Sequence, residues 1–214
     1  MRHGQDEVAR YWNAYADAYD GAPDHGLSDL AMRDAWRVLL ERWLPGRPSD
    51  VVDLACGTGS LTALVAGLGH RVEGVDLAGN MLERARAKSV GFAERVTITL
   101  GDVSHPPIEP ASVDVVLARH ILWTLPDPQA ALASWCVLLR PGGRFLLVEG
   151  RWLSVGDEGY RDEARMPWAG GVRAEDLVLA IEPMVKRIEV VPLTDPVLWG
   201  NEVTDERYLL VADL

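Results

Sequence analysis

The spacing of apolar residues changes character near residue 48. Over 6–20, Val8, Tyr11, Trp12, Tyr15 and Tyr19 recur at three- and four-residue intervals, which predicts an amphipathic helix that Gly21-Ala22-Pro23 terminates. Ser28 is a good N-cap for a second helix reaching Trp43 or Leu44, ahead of Pro45-Gly46. Beyond Pro48 the apolar residues gather into short solid runs. Strands are predicted over 51–55, 71–75, 96–100, 113–118 and 144–148, and helices over 60–68, 79–88 and 129–139. Pro141 stops the last of these helices, and Gly142-Gly143 turns into the next strand. The 113–118 run is almost wholly apolar, as a strand covered on both faces should be. Strands alternating with short helices predict an α/β fold on a mostly parallel sheet, with right-handed crossovers.

The end of the chain reads differently. A helix over 173–181 leads into a strand over 185–191, and a last strand covers 207–211. With no helix-length crossover between them, these two strands are expected to pair antiparallel. The 192–205 connection is long for a hairpin, which predicts a loop with a task of its own. No internal repeat or low-complexity linker divides the chain. The simplest organisation is one domain over 1–214, with a helical lid over 1–45 and a core over 49–214.

Composition narrows the function classes. A chain of 214 residues can bury one sizeable core and is short for two. No apolar run approaches the ~18–20 residues of a membrane span, so no membrane partner is expected. The opening Met-Arg-His-Gly-Gln-Asp-Glu lacks the apolar stretch of a secretory signal. Only Cys56 and Cys136 occur, neither with metal-ligand spacing, so no metal site is expected and a reducing cytoplasm suits the chain. A net charge of −11 argues against a large nucleic-acid footprint. Nothing in the pattern decides between a monomer and a homodimer.

The stretch "VVDLACGTGS", residues 51–60, carries the chemistry. Gly57-Thr58-Gly59 follows the first strand, at the carboxyl rim where open α/β sheets bind ligands. Glycines there let the backbone turn tightly and approach a ligand closely. Asp76 ends the second strand, about twenty residues on, where an acid can grip ribose hydroxyls. The ligand is therefore a nucleoside. A dinucleotide fingerprint would place Gly or Ala where Thr62 stands, and no Gly-Lys-Ser/Thr phosphate loop occurs. Asp53 adds a negative charge that would repel a pyrophosphate and attract an ammonium or a sulfonium, though it could also cap the next helix. S-adenosylmethionine has the required ribose and the required cationic amino-acid end.

On these residues the chain resembles the class I, seven-stranded, Rossmann-like S-adenosylmethionine-dependent methyltransferases of small-molecule type, over most of its length. "VVDLACGTGS" is similar to the family's first motif and "GVDLAGNML" to its second, with Asp76 on the ribose. "GDVSHPP" resembles the adenine-binding segment, where the resemblance places Asp102 on the adenine amino group and the Val103 backbone on the ring edge. "VDVVLARHILWTL" and "LLRPGGRFLLVEG" resemble the fourth strand and the approach to the fifth. The resemblance implies a three-layer sandwich with sheet order 3-2-1-4-5-7-6 and strand 7 antiparallel. It also likens "YWNAYADAYD" to a helix that lies over the cofactor, with Tyr19 on the methionine portion. Ala78 stands where the second motif often has Ser.

Expected cofactor contacts are thus Tyr19, Asp53, Ala55, Gly57, Gly59, Asp76, Leu77, Met81, Asp102, Val103 and Arg119. Leu77 and Met81 would wall the adenine. Arg119 could bind an acidic group or merely cap the sheet edge. Just past the fourth strand, His120 is a candidate base or substrate contact. Tyr15, Trp123 and Trp152 are candidates for a substrate pocket, whereas Trp36, Trp43 and Trp135 sit in helix patterns and read as packing. Cys56 reads as a small buried residue rather than a nucleophile. The function expected is methyl transfer to O, N or C of a natural-product or quinone-like metabolite. The alternatives are a non-catalytic S-adenosylmethionine-binding protein and a nicotinamide-dependent oxidoreductase.

Overall fold

In the computed structural model, residues 2–152 and 166–214 are described. Helices α1 (Arg2–Tyr19) and α2 (Leu30–Trp43) precede β1 (Asp50–Leu54). Then follow α3 (Ser60–Gly67), β2 (Arg71–Asp76), α4 (Gly79–Lys88), β3 (Val96–Leu100), β4 (Val113–Arg119), α5 (Pro128–Leu138) and β5 (Leu139–Arg151). After the interval that is not described come α6 (Ala174–Ile181), β6 (Arg187–Pro192) and β7 (Glu206–Asp213). The seven strands form one sheet in the order β3-β2-β1-β4-β5-β7-β6. All neighbours are parallel except β7, which inserts antiparallel between β5 and β6. The expected order and the antiparallel pair at the chain's end are both present.

Side-chain alternation along the central strands supplies two cores. Val52, Val116, Phe145 and Leu147 face the layer containing Leu132 and Trp135 of α5 and Leu177 of α6. Val51, Val115, Leu117 and Leu146 face the opposite layer, with Trp36 and Leu40 of α2 and Val65 of α3. Neighbouring β1 and β4 hand their chains on to helices on opposite faces. That leaves a crevice at their carboxyl ends, the switch point of an open α/β sheet.

Three local departures from the sequence reading have simple causes. Asp29, not Ser28, caps α2, because its carboxylate accepts from the Met32 amide at 2.9 Å. The turn at Pro141 to Gly143 lies inside β5, as an irregularity in its pairing with β4. The 192–205 loop has a packing task. It carries a 3-10 turn (Pro196–Leu198) and the buried Trp199, set edge-on to Trp36 at 5.6 Å. The Trp36 indole donates to the Leu198 carbonyl at 2.8 Å, tying α2 to this loop.

Helix α1 docks on α4 through a polar ladder in matched register. Asn13 pairs with Asn80, Asp17 with Arg84, and Asp20 with Lys88. The last rung is a small network, in which the Lys88 ammonium also donates to the Thr58 and Ser60 hydroxyls at 2.8 Å each. The Thr58 hydroxyl in turn donates to Asp20 at 2.6 Å, so the end of α1 is bonded to the glycine loop itself. Lys88→Met should loosen α1 by about 1–3 kcal/mol, the range for hydrogen bonds to a charged group. Amide exchange should accelerate over 8–20 while the central strands keep their protection; unchanged exchange in α1 would show the ladder to be idle.

Candidate functional site

Two strained residues open the crevice. Ala55 follows β1 with φ 58° and His120 follows β4 with φ 56°, a left-handed conformation unusual for side chains other than glycine. Such strain costs about 1–3 kcal/mol per residue and concentrates at functional sites. Above these turns lies a cavity of about 600 Å3. Tyr19, Ala55, Gly57, Asp76, Leu77, Met81, Asp102, Val103, Arg119 and His120 all line it. Asp53 reaches a smaller adjoining cavity that shares Tyr19, Ala55 and Arg119 with the first. Gly59 lines neither cavity. Its φ is 77°, and a Cβ there would meet Ala85 at 2.7 Å, so it seats the loop on α4 rather than on a ligand.

Asp76 organises the loop it faces. One carboxylate oxygen accepts from the Gly57 amide at 2.9 Å and the other from the Ala78 amide at 2.8 Å. The Leu77 amide adds a third such bond, and the carboxylate keeps a lone-pair position for a further donor. Gly59 stands at the cap of α3 without a side-chain bond, while Asp53, buried behind the loop, accepts from the Thr62 amide in the first turn of that helix. Its other partner is the Thr62 hydroxyl, which donates at 2.5 Å. Burial foremost, with Asp76 adding to it, pushes the Asp53 carboxyl up to about 7. Burial likewise raises Asp76, against the pull of its backbone hydrogen bonds.

Arg119 is half-buried and is held by aromatic faces. Its guanidinium lies 4.8 Å from the Trp36 ring and 5.9 Å from the Trp199 ring, and burial lowers its pKa. Among the described residues it has neither an ion-pair partner nor a hydrogen-bond acceptor, and it borders both cavities. Arg207, by contrast, is satisfied by Asp205 and Asp24 while it covers the other side of Trp199 at 4.6 Å. Tyr19 lies over Gly57 and stacks on His25 with ring centres 4.4 Å apart. Burial pushes its phenol up to about 12, so it keeps its proton.

The turn after β4 is tightly wound. The Ile121 and Leu122 amides both donate to Glu149 at 3.0 Å, and the His120 carbonyl accepts from the Trp123 indole at 2.9 Å. The His120 ring stacks on Trp199 at 5.6 Å and meets Trp152 edge-on at 5.0 Å. Its Nε2 is buried without a partner among the described residues. Burial, with Arg119 and Arg207 adding to it, holds the imidazole well below its ordinary pKa, so it stays neutral. Trp152 and Trp123 stand behind His120, with ring centres 6.0 Å apart, rather than on the cavity surface. Tyr15 is likewise set back, against Trp12, Tyr19 and His25, and the α1 residues on the cavity are Glu7, Val8, Tyr11, Trp12 and Tyr19. At the adenine segment, Asp102 accepts from the Ser104 amide at 2.9 Å, and the Val103 carbonyl accepts from the Trp135 indole at 2.6 Å.

The sequence reading missed Thr62, His25, Trp199 and Glu149 as members of the site. Glu149 had a visible signal, since it is an acid inside the apolar run of "FLLVEG". Trp199 lay in the loop already singled out by its length. The pairing of His25 with Tyr19 depends on the path of 20–28 and left no mark in the pattern.

A family model described as a methyltransferase domain matches residues 52–147. The chain is 35% identical over 145 residues to a ubiquinone biosynthesis O-methyltransferase of Xanthomonas campestris, across 66% of this chain and 58% of that one. It is 29% identical over 144 residues to a demethylmenaquinone methyltransferase of Clavibacter sepedonicus, across 67% and 58% respectively. The chain thus spans a little over half the length of these curated relatives. Among solved structures, a geranyl diphosphate C-methyltransferase from Streptomyces coelicolor, in complex with S-adenosyl-L-homocysteine, has a TM-score of 0.73 at 18% identity. That match covers 98% of this chain and 97% of the other.

The raised Asp53 has a signed consequence for stability. Between an unfolded value near 4 and the folded value of about 7, the folded chain holds the proton that the unfolded chain releases. This contribution is present below about pH 4 and lost as pH rises through about 7. Asp53→Asn should therefore gain stability relative to the parent between about pH 5 and pH 8 in urea titrations. A difference independent of pH would mean that Asp53 titrates normally.

Proposed function

Because the chain belongs to the class I, seven-stranded S-adenosylmethionine-dependent methyltransferases, we propose that it transfers a methyl group from that cofactor to O, N or C of a small metabolite, natural-product or quinone-like in kind. The observation that carries this reading is the division of charge along the cavity. At one end Arg119 offers a half-buried guanidinium that has no acceptor among the described residues, beside the Asp53 carboxyl. Those two suit the carboxylate and the ammonium of a methionine portion. At the other end Asp76 suits a ribose hydroxyl, while Leu77, Met81, Asp102 and Val103 suit an adenine. Tyr19, protonated above Gly57, serves as a hydrogen-bond donor.

When bound, the cofactor supplies a methyl group made electrophilic by its sulfonium. The chain's own work is to align the acceptor with it and to exclude water. Helices α1 and α2 act as a lid over 1–45 on a core over 49–214. His120, neutral and of weak basicity, orients the acceptor by accepting a hydrogen bond and is a poor store for a proton. That favours acceptors whose proton is already acidic, such as phenols and enols. The names of the two curated relatives, one of ubiquinone biosynthesis and one of demethylmenaquinone methylation, support a quinone-like acceptor. The net charge of −11 supports a metabolite over nucleic acid, and a cytoplasmic monomer or homodimer completes the reading.

Calorimetric titration tests the cofactor site directly. S-adenosylhomocysteine should bind, and Asp76→Ala or Arg119→Met should each weaken it by about 1–3 kcal/mol, roughly ten- to a hundredfold. Binding of NADH without binding of S-adenosylhomocysteine would overturn the reading in favour of an oxidoreductase. Methyl transfer from labelled S-adenosylmethionine to a panel of phenols, enols and amines separates an enzyme from a cofactor-binding protein.

A further inference from the structure

Glu149 is a fully buried acid for which the proposed chemistry has no use. On β5 it follows Phe145 and Leu147 on the same face, inside the apolar layer formed with α5 and α6. An acid buried there without a partner is expensive, and no arginine or lysine lies against it among the described residues. Tyr208, its partner across β7, has committed its hydroxyl to the Val172 carbonyl at 3.0 Å. The compensation comes from backbone. One oxygen, Oε1, accepts from both the Ile121 and the Leu122 amides at 3.0 Å, while Oε2 is buried with no partner among the described residues. Two successive amides converging after a left-handed residue form a nest, a concavity that favours an anion. Here a side chain from the neighbouring strand fills the nest.

A non-glycine residue seldom takes a positive φ, and histidine, though enriched among the exceptions, still does so uncommonly. His120 adopts one, and the Ile121 and Leu122 amides are then turned to a single point. We propose that Glu149 is a positioning residue, which by holding the two amides after His120 imposes the left-handed turn that sets the imidazole into the cavity wall. The inference rests on the reading of His120 as the acceptor contact only for its bearing on activity. The mechanical link between Glu149 and His120 stands on the backbone geometry. It also gives a reason for the acid at this place: an apolar residue would pack as well on this face but would leave the nest empty, and the turn would relax toward extended backbone.

The experiment uses the full chain and three variants: Glu149→Met, Glu149→Gln and His120→Gly. In the parent, the His120 ring protons should carry strong ring-current shifts from Trp152 and Trp199, and the imidazole should stay neutral well below the ordinary histidine pKa. In Glu149→Met those shifts should collapse and the imidazole should titrate near its ordinary value of about 6.5. Glu149→Gln keeps a carbonyl oxygen that can accept from both amides, so it should restore the parent signals. Coupling to the strain is read from unfolding constants. Glu149→Met should cost at least about tenfold less on the His120→Gly background, where glycine needs no enforcement. Parent-like His120 signals in Glu149→Met would overturn the proposal. So would equal losses on both backgrounds, or failure of Glu149→Met to fold on either. Binding of S-adenosylhomocysteine to the parent is read separately, since Glu149 itself does not line the cavity. Failure of the parent to bind it would strike the cofactor reading and leave the positioning test intact.

Discussion

The structure depends on one geometric constraint: β1 and β4 lie side by side, yet their chains must leave for opposite faces of the sheet. Continuing either strand would close the gap between them. Both chains instead turn at once, at Ala55 and at His120, through backbone that ordinary residues avoid. The crevice is the space these two turns vacate. Each turn is then fixed by a carboxylate reaching across from the adjacent strand. Asp76 at the end of β2 holds the Gly57 amide, and Glu149 near the end of β5 holds the Ile121 and Leu122 amides. Two acids thus flank the switch point, one on each side, in equivalent mechanical roles.

The electrostatics of the crevice follow from how few of its charges are neutralised by ion pairs. Asp53 is paired with a hydroxyl, Asp76 and Glu149 with amides, and Arg119 with indole faces. Dipoles and π-clouds hold charges in place without cancelling them, and in a buried site an uncancelled charge acts strongly. Burial shifts all of these groups toward their neutral forms. A ligand that brings complementary charge reverses that shift. The site is preorganised in its geometry and leaves its charge balance for the ligand to complete.

How far the sequence could be read follows the range of the interactions. Most strand and helix positions depend on local period and emerged within a residue or two, as α4 and β3 illustrate, whereas α1 and β5 begin four or five residues earlier than their apolar patterns. The sheet order came with the motif resemblance, because the motifs sit at fixed strand ends. Asp76 and Gly57 were legible as a pair, though the hydrogen bond between them was not. Gly59 was read as a ligand contact and instead seats α4, because a glycine's two uses look alike in sequence. What stayed hidden is what long loops deliver, chiefly Trp199 to Arg119 and His25 to Tyr19. Backbone strain at Ala55 and His120 was hidden too, since neither residue type advertises a positive φ. The case of Thr62 is instructive. It broke the dinucleotide fingerprint, and Asp53 argued against a pyrophosphate; in the structure these two residues are bonded to each other at 2.5 Å. What looked like two independent departures is one device, a hydroxyl that fixes the acid's orientation.

The same economy joins α1 to Asp76. Helix α4 begins three residues after Asp76, and its start is fixed because the Ala78 amide is bonded to that carboxylate. Ala78 and Met81 are buried against Ala16 of α1, while Asn80, Arg84 and Lys88 carry the polar rungs that dock that helix. Met81 also lines the cavity. Anything that shifts the Asp76 carboxylate therefore displaces the first turn of α4, and with it the register on which α1 is bonded. The last rung returns to the start, since Lys88 and Asp20 hold Thr58 between the two glycines of the loop that Asp76 orders. Helix α1 and the glycine loop thus form a closed circuit of contacts through α4. Displacing α1 would break the Thr58 rung of the glycine loop, so the position of α1 and the order of that loop are one variable rather than two.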